Sequence, residues 1–166
     1  MRPEDHPEFY RFPAPEGRSR ESTIVLDKHG RFFHEGQPVE RPAMAIAFFQ
    51  WLRRHPDDGR YILSNGYDWT YLTVEDAPLF VLSLRIDEHG VQLQLSDGSE
   101  EPLQKAGLRV GAGDALYCRV KGGEYEARFT PSAQWMLEPV LVEGEAGEIR
   151  IRLGGETVPV ATLPAR

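Results

Sequence analysis

The chain has 166 residues, 40% of them hydrophobic and 27% charged, and its 26 acidic side chains outnumber 19 basic ones for a formal net charge of −7. That length supports one domain or two tightly packed halves, and the composition fits a modest core under a charged surface rather than disorder. Lys and Arg are scattered, adjacent only at Arg53-Arg54, which excludes the basic stripe that binding to a phosphate backbone requires; no nucleic-acid partner is expected.

The single cysteine, Cys118, excludes an internal disulfide framework and thiolate clusters for zinc or iron–sulfur. It lies in the run Leu116-Tyr117-Cys118-Arg119-Val120 and reads as a small strand residue. The longest apolar run, residues 43–49, falls far short of the roughly 20 residues that span a bilayer. The opening Met1-Arg2-Pro3-Glu4-Asp5-His6 lacks the apolar stretch of an export signal. A cytoplasmic protein with no membrane partner is the expectation.

Residues 1–22 carry four prolines and few apolar side chains, too few to offset the cost of ordering their backbone, so a mobile tail is expected whose deletion leaves the fold intact. Its aromatic strip, Phe9-Tyr10-Arg11-Phe12, is the part able to dock on the body. A first half, residues 23–78, reads hairpin, helix, hairpin. Residues 23–26 and 31–34 flank the turn Asp27-Lys28-His29-Gly30. Pro42 opens a helix on which Met44, Ala47, Phe48, Trp51 and Leu52 form the apolar stripe, with Trp51 buried; Arg53-Arg54-His55 complement its C-terminal dipole, and Pro56 ends it. Residues 60–64 and 67–73 then flank Asn65-Gly66, the strongest short hairpin signal in the chain.

Residues 79–166 read as a strand-rich middle and a second half, packed with the first as one unit. Phe80, Leu82, Leu84 and Ile86 alternate, as do Val91, Leu93 and Leu95 after the turn at residues 87–90, which predicts a half-buried hairpin. A glycine-spaced connector at residues 107–114 leads to strands at 115–120 and 124–129, then Thr130-Pro131 as N-cap and first residue of a helix through about Leu137. Strands at 140–142, 148–153 and 156–160 follow. The fold class is therefore α+β: mainly antiparallel sheet with two helices, in two pseudo-repeated hairpin-helix-hairpin halves.

The run Phe33-His34-Glu35-Gly36-Gln37-Pro38-Val39-Glu40-Arg41, the segments Tyr61-Ile62-Leu63 and Val74-Glu75-Asp76-Ala77-Pro78-Leu79-Phe80, and the later Tyr117-Cys118-Arg119-Val120, Glu126-Ala127-Arg128-Phe129 and Ile151-Arg152-Leu153-Gly154-Gly155 resemble a bacterial family called domain of unknown function 1285. The likeness spans nearly everything after residue 22; the second helix and the segment between Leu95 and Leu116 depart most from the family's pattern. It implies an α+β fold with repeated motifs and a link to bacterial signalling, without an established activity.

His34-Glu35 offers an imidazole and a carboxylate, yet no second histidine follows at zincin spacing, so His34 closing a strand while Glu35-Gly36 turns is the stronger reading. Glu75-Asp76 pairs two carboxylates, but neighbours on an extended chain face opposite ways, which favours a structural junction. Arg41 at a helix start suits a phosphate or carboxylate, and Arg128 precedes the second helix at a comparable place; pairing of Arg41 with Glu35 or Glu40 is the simpler role. Gly111-Ala112-Gly113 lacks the third glycine of a dinucleotide fingerprint, and Trp51, Trp69 and Trp135 read as core or junction aromatics.

These residues favour a non-catalytic ligand-binding or regulatory module with no cofactor and no resident metal, its site formed by His34, Glu35, Arg41 and Arg128, with Glu75 and Asp76 secondary. A small hydrolase or metal-assisted enzyme using His34, Glu35 and Asp76 is the alternative. A structural subunit that forms a homodimer through an exposed strand edge is the third. The partner in the first case is an unknown small molecule or protein.

Overall fold

The computed structural model describes residues 1–163, and the chain divides into two units, Met1–Pro78 and a second beginning at Leu79. Mainly antiparallel strands and two helices make it α+β. No helix among the described residues is long and apolar enough to cross a membrane.

In the first unit β1 (Val25–Leu26), β2 (Phe32–His34), β3 (Gln37–Pro38), α1 (Pro42–Trp51), β4 (Leu52–Arg54), β5 (Tyr61–Ser64), β6 (Trp69–Tyr71) and β7 (Thr73–Val74) follow in order. They form one sheet ordered β3-β2-β1-β7, with β1 and β7 parallel, and an antiparallel sheet β4-β5-β6. The Asp27 carboxylate caps the first turn by accepting the amides of His29 and Arg31, both at 2.9 Å.

Helix α1 ends at Trp51, four residues before the end at His55 expected from Pro56 as its terminator. Leu52 turns extended (φ −62°, ψ 128°) and pairs with Leu63, so residues 52–54 become a strand edge rather than a last helical turn. The stripe also shifts: Phe49 and Leu52 are buried, Phe48 and Trp51 only half-buried, and Met44 is 41% exposed. Residues 43–49 are apolar all round, so several stripes were open to the helix, and the ring of Phe32, 4.7 Å from Phe49, selects among them.

The first 22 residues are not loose. Two short 3-10 turns, Pro3–Asp5 and Phe9–Arg11, lie on the β5–β6 hairpin, and Phe9, 4% exposed, packs with Ile62 and Trp69. One aromatic side chain removed from water offsets ordering of the few residues around it, which a count of apolar residues over the whole segment misses.

The second unit begins with the long hairpin β8 (Leu79–Asp87) and β9 (Gly90–Leu95), then β10 (Glu100–Pro102), β11 (Arg109–Val110), β12 (Leu116–Val120), β13 (Tyr125–Phe129), α2 (Pro131–Leu137), β14 (Leu141–Glu143), β15 (Ile149–Leu153), β16 (Glu156–Pro159) and β17 (Ala161–Thr162). A sheet ordered β10-β9-β8-β13-β12-β11-β17 joins hairpins through parallel pairing of β8 with β13, and β14-β15-β16 forms a second sheet. Thr130 caps α2, its Oγ1 accepting the Ala133 amide at 3.2 Å. The glycine-spaced connector contains the strand β11, and Gly111 is required there because a Cβ would stand 2.7 Å from the Tyr117 ring.

A register shift between Val81 and Ser83 breaks the alternation expected along β8: Phe80 and Val81 are both buried, while Leu82 is 48% exposed. Trp135 is 76% exposed rather than a core aromatic. Phe80→Ala should therefore lower unfolding free energy by about 3–5 kcal/mol, and Leu82→Ala by less than about 1 kcal/mol, in urea melts. Cys118 is 1% exposed, and burial, then the nearby Glu101 and Glu126 carboxylates, push its thiol up to about 12. A thiol reagent at pH 8 should modify it only after denaturant is added; rapid reaction of the folded chain would contradict that burial.

Candidate functional site

The most apolar cleft among those described lies in the first unit, between α1 and the β5–β6 hairpin, with a volume of about 190 Å³. Its shape starts with the turn at residues 65–68. The Asn65 side-chain oxygen accepts the amides of Tyr67 and Asp68, both at 2.9 Å, and Gly66 takes φ 89°. The Asn-Gly signal thus makes the expected hairpin, but with a four-residue loop, and the Ser64–Trp69 register aims Trp69 inward. Phe48 and Trp51 from α1 face Leu63, Trp69 and Ile24 across the cleft.

The rim is polar but already engaged. Asp68 accepts from the Arg20 guanidinium and, at 2.9 Å, from the Trp69 amide. Burial pushes its carboxyl up, but the Arg20 and Trp69 hydrogen bonds outweigh this, and it settles below the usual carboxylate range. The Thr70 hydroxyl donates to the Arg20 carbonyl at 2.8 Å. The guanidinium of Arg20 lies 4.4 Å from the centre of the Trp69 ring.

On the same hairpin, Trp69 meets an aromatic cluster. Its ring centroid is 5.0 Å from that of His55 and 5.1 Å from that of Tyr71, and its indole N–H donates to the Phe9 carbonyl at 3.4 Å. His55 is buried; its Nδ1 accepts the Asp57 amide at 3.1 Å, which leaves Nε2 to donate to the Tyr10 carbonyl at 2.9 Å. Three arginine–carboxylate pairs fasten the N-terminal segment: Arg11 with Asp57, Arg60 with Glu21, and Arg20 with Asp68. Tyr71 donates its hydroxyl to Asp58 at 2.6 Å under the Arg60 guanidinium, 3.6 Å from the ring centre.

The second unit holds a polar cleft of about 270 Å³ where the β8–β9 turn approaches the β15–β16 turn. Asp87, Glu88, His89, Lys105 and Glu156 line it above Leu103 and Leu153. Lys105 pairs there with Glu156 at 2.8 Å, and the His89 ring lies 3.4 Å from the Glu88 carboxylate.

The residues singled out from the sequence lie outside both clefts. His34 ends β2 and is exposed, and Glu35 (φ 52°) with Gly36 (φ 77°) makes a two-residue turn whose Glu35 amide donates to the Thr23 hydroxyl at 2.9 Å. Arg41 precedes α1 as its N-cap, exposed and without a side-chain capping bond. Glu75 follows β7, its amide donating to the Leu26 carbonyl at 2.9 Å. Because β2 runs antiparallel and β7 parallel to β1, His34 falls beyond the Val25 end of β1 and Asp76 beyond the Leu26 end, some 13 Å apart along the strand direction at about 3.3 Å per residue. Arg128 belongs to the second unit, on β13, with its guanidinium 3.4 Å from the Tyr117 hydroxyl. Among the described residues, no group of three His, Cys, Asp or Glu side chains is placed to hold a metal ion.

Against solved structures, the chain is similar to a DUF1285 family protein from Silicibacter pomeroyi DSS-3, with a TM-score of 0.67, 18% identity and 91% of each chain covered. It is also similar to a DUF1285 family protein from Shewanella baltica OS155, with a TM-score of 0.58, 16% identity and coverage of 73% of this chain and 94% of that one. The chain has the fold of these DUF1285 proteins. No protein-family model matches it, and no curated protein matches. The cleft residues Phe48, Trp51, Asp68 and Trp69 were not chosen from the sequence as a site; the signal that bore on them was the Asn-Gly turn, which brings Asp68 and Trp69 under the helix.

The carboxylates of the aromatic cluster give the N-terminal segment a defined response to acid. Hydrogen bonds from Arg60 to Glu21, from Arg11 to Asp57 and from Tyr71 to Asp58 hold all three below the usual carboxylate range. The unfolded chain binds more protons at these sites, so their stabilisation is present above the ordinary carboxyl pKa near 4, declines as pH drops below that, and is lost as pH falls through the depressed values of the folded chain. The urea midpoint should drop as pH falls below about 5, and the Arg11→Ala, Arg60→Ala double variant should show a flatter profile.

Proposed function

We propose that this chain is a DUF1285-type, non-catalytic ligand-binding or regulatory module of the bacterial cytoplasm whose first unit takes a planar apolar group into the α1/β5–β6 cleft. One observation carries the reading: Phe48 and Trp51 are left half-buried across an opening from Trp69 and Leu63. Large aromatic faces at the mouth of a concave apolar space are the usual lining of small-molecule sites. The volume, about 190 Å³, exceeds the roughly 150 Å³ of a cavity that holds benzene, so one or two fused rings fit. The rim's polar atoms are committed to the turn and to Arg20, so selectivity comes from shape and ring stacking rather than new hydrogen bonds. The link to signalling rests on the family resemblance.

The same reading takes the two units as a pseudo-repeat. Its support is strand order: β3-β2-β1-β7 and β13-β12-β11-β17 pair in the same senses, each with a parallel β1–β7 or β11–β17 contact, and β4-β5-β6 matches β14-β15-β16.

A thermal-shift screen of planar aromatic compounds tests the assignment. A ligand of this cleft should raise the melting midpoint of the native chain, and Trp51→Ala should weaken its binding by about tenfold while the variant stays folded. No hit in the panel, or hits whose affinity is unchanged in Trp51→Ala and Phe48→Ala, would remove the cleft as the site.

A further inference from the structure

Residues 9–13 sit on the first unit much as a bound peptide sits on a receptor. Phe9 is the buried side chain of the first 22 residues, enclosed with Ile62 and Trp69. The main chain that follows is read by side chains: Trp69 Nε1–H donates to the Phe9 carbonyl at 3.4 Å, His55 Nε2–H to the Tyr10 carbonyl at 2.9 Å, and Arg20 to the carbonyls of Phe12 and Pro13 at 3.2 and 3.1 Å. Arg11 is held as a fork, its Nε and Nη2 donating to the two Asp57 oxygens at 3.1 and 2.8 Å. His6, Pro7, Glu8 and Phe12 are exposed.

We propose that this face of the β4-β5-β6 sheet is a recognition surface for protein segments of the pattern aromatic–x–arginine, occupied in this chain by its own Phe9-Tyr10-Arg11 and opened to a partner when those residues leave. The chemistry of the occupant is set by what is seated there. One aromatic ring fills a pocket and one guanidinium meets a carboxylate in bidentate geometry, while the other polar contacts fall on carbonyls that every sequence supplies. The occupant is also detachable by construction. Its hold is one buried ring, the half-buried Tyr10 ring, a few hydrogen bonds to main-chain carbonyls and exposed ion pairs, a small set of contacts whose local opening is less costly than global unfolding. Tethering gives it an effective concentration on the order of millimolar, so a segment in trans competes poorly until the tethered copy is weakened. The surface is separate in its residues from the ligand cleft except for the shared indole of Trp69 and for Arg20, which also holds Asp68 on the cleft rim.

The test uses the full chain and two fluorescein-labelled peptides, read by anisotropy. One peptide copies residues 6–17; the other keeps only the Phe-x-Arg spacing in an otherwise changed sequence. Both should bind the Phe9→Ser variant at least about tenfold tighter than the native chain, and adding Asp57→Asn to that variant should weaken both. If circular dichroism shows Phe9→Ser unfolded, Arg11→Glu opens the surface instead, since it disturbs only exposed contacts, those of Arg11 with Asp57 and Glu8. Absence of binding to the folded, opened variant, or equal affinity for native and opened chains, overturns the proposal. Binding of the native-sequence peptide alone also overturns it and assigns the surface to segment exchange between copies of this chain.

Discussion

Burial of the Trp69 indole is the contact on which the first unit's cleft and its docked N-terminal segment both depend. It is 6% exposed, and no single neighbour accounts for that. The Asn65–Asp68 turn aims it, Arg20 covers one face of the ring, Phe9 packs on it, and its N–H is satisfied by a backbone carbonyl of the N-terminal segment. A buried indole N–H without an acceptor would cost about 1–3 kcal/mol, so the segment is part of how this sheet keeps a tryptophan inside. The same ring also walls the cleft beneath α1.

That dual use joins two proposals that stand on different residues. A ligand in the cleft meets Phe48, Trp51 and Leu63; a segment on the other surface meets Ile62, His55 and Asp57. Trp69 lines both and Arg20 bonds to both, so the two proposals are separable by substitution at the unshared positions. Energetically, the apolar contacts supply most of the attraction at roughly 25 cal/mol per Å² removed from water, and the exposed ion pairs around them contribute mainly alignment.

In the second unit the organising feature is β8, bonded on one edge to β9 and on the other to β13. Strands covered on both faces read as continuous apolar runs, and Leu79, Phe80 and Val81 are buried in succession. The register shift after Val81 then ejects Leu82. No pattern of alternation along Leu79-Phe80-Val81-Leu82 contains that step, because it is fixed by the partner strands.

The sequence by itself determined the α+β class, the hairpins at Asp27–Gly30, Asn65-Gly66, residues 87–90 and Lys121-Gly122-Gly123, and the capped start of the helix at Thr130-Pro131. Each of these rests on forces acting within a few residues: a glycine's positive φ, a proline's fixed φ, a side-chain oxygen reaching a nearby amide. Tertiary structure alone decided that α1 stops at Trp51, that Phe9 docks, that Trp135 faces outward, and that Phe48, Trp51 and Trp69 surround one space. Those outcomes depend on which apolar surface arrives from elsewhere in the chain: Leu63 pairing with Leu52, Ile62 and Trp69 receiving Phe9. Because burial is non-directional and the run at residues 43–49 is apolar on every side, local pattern permits several packings and the partner selects one.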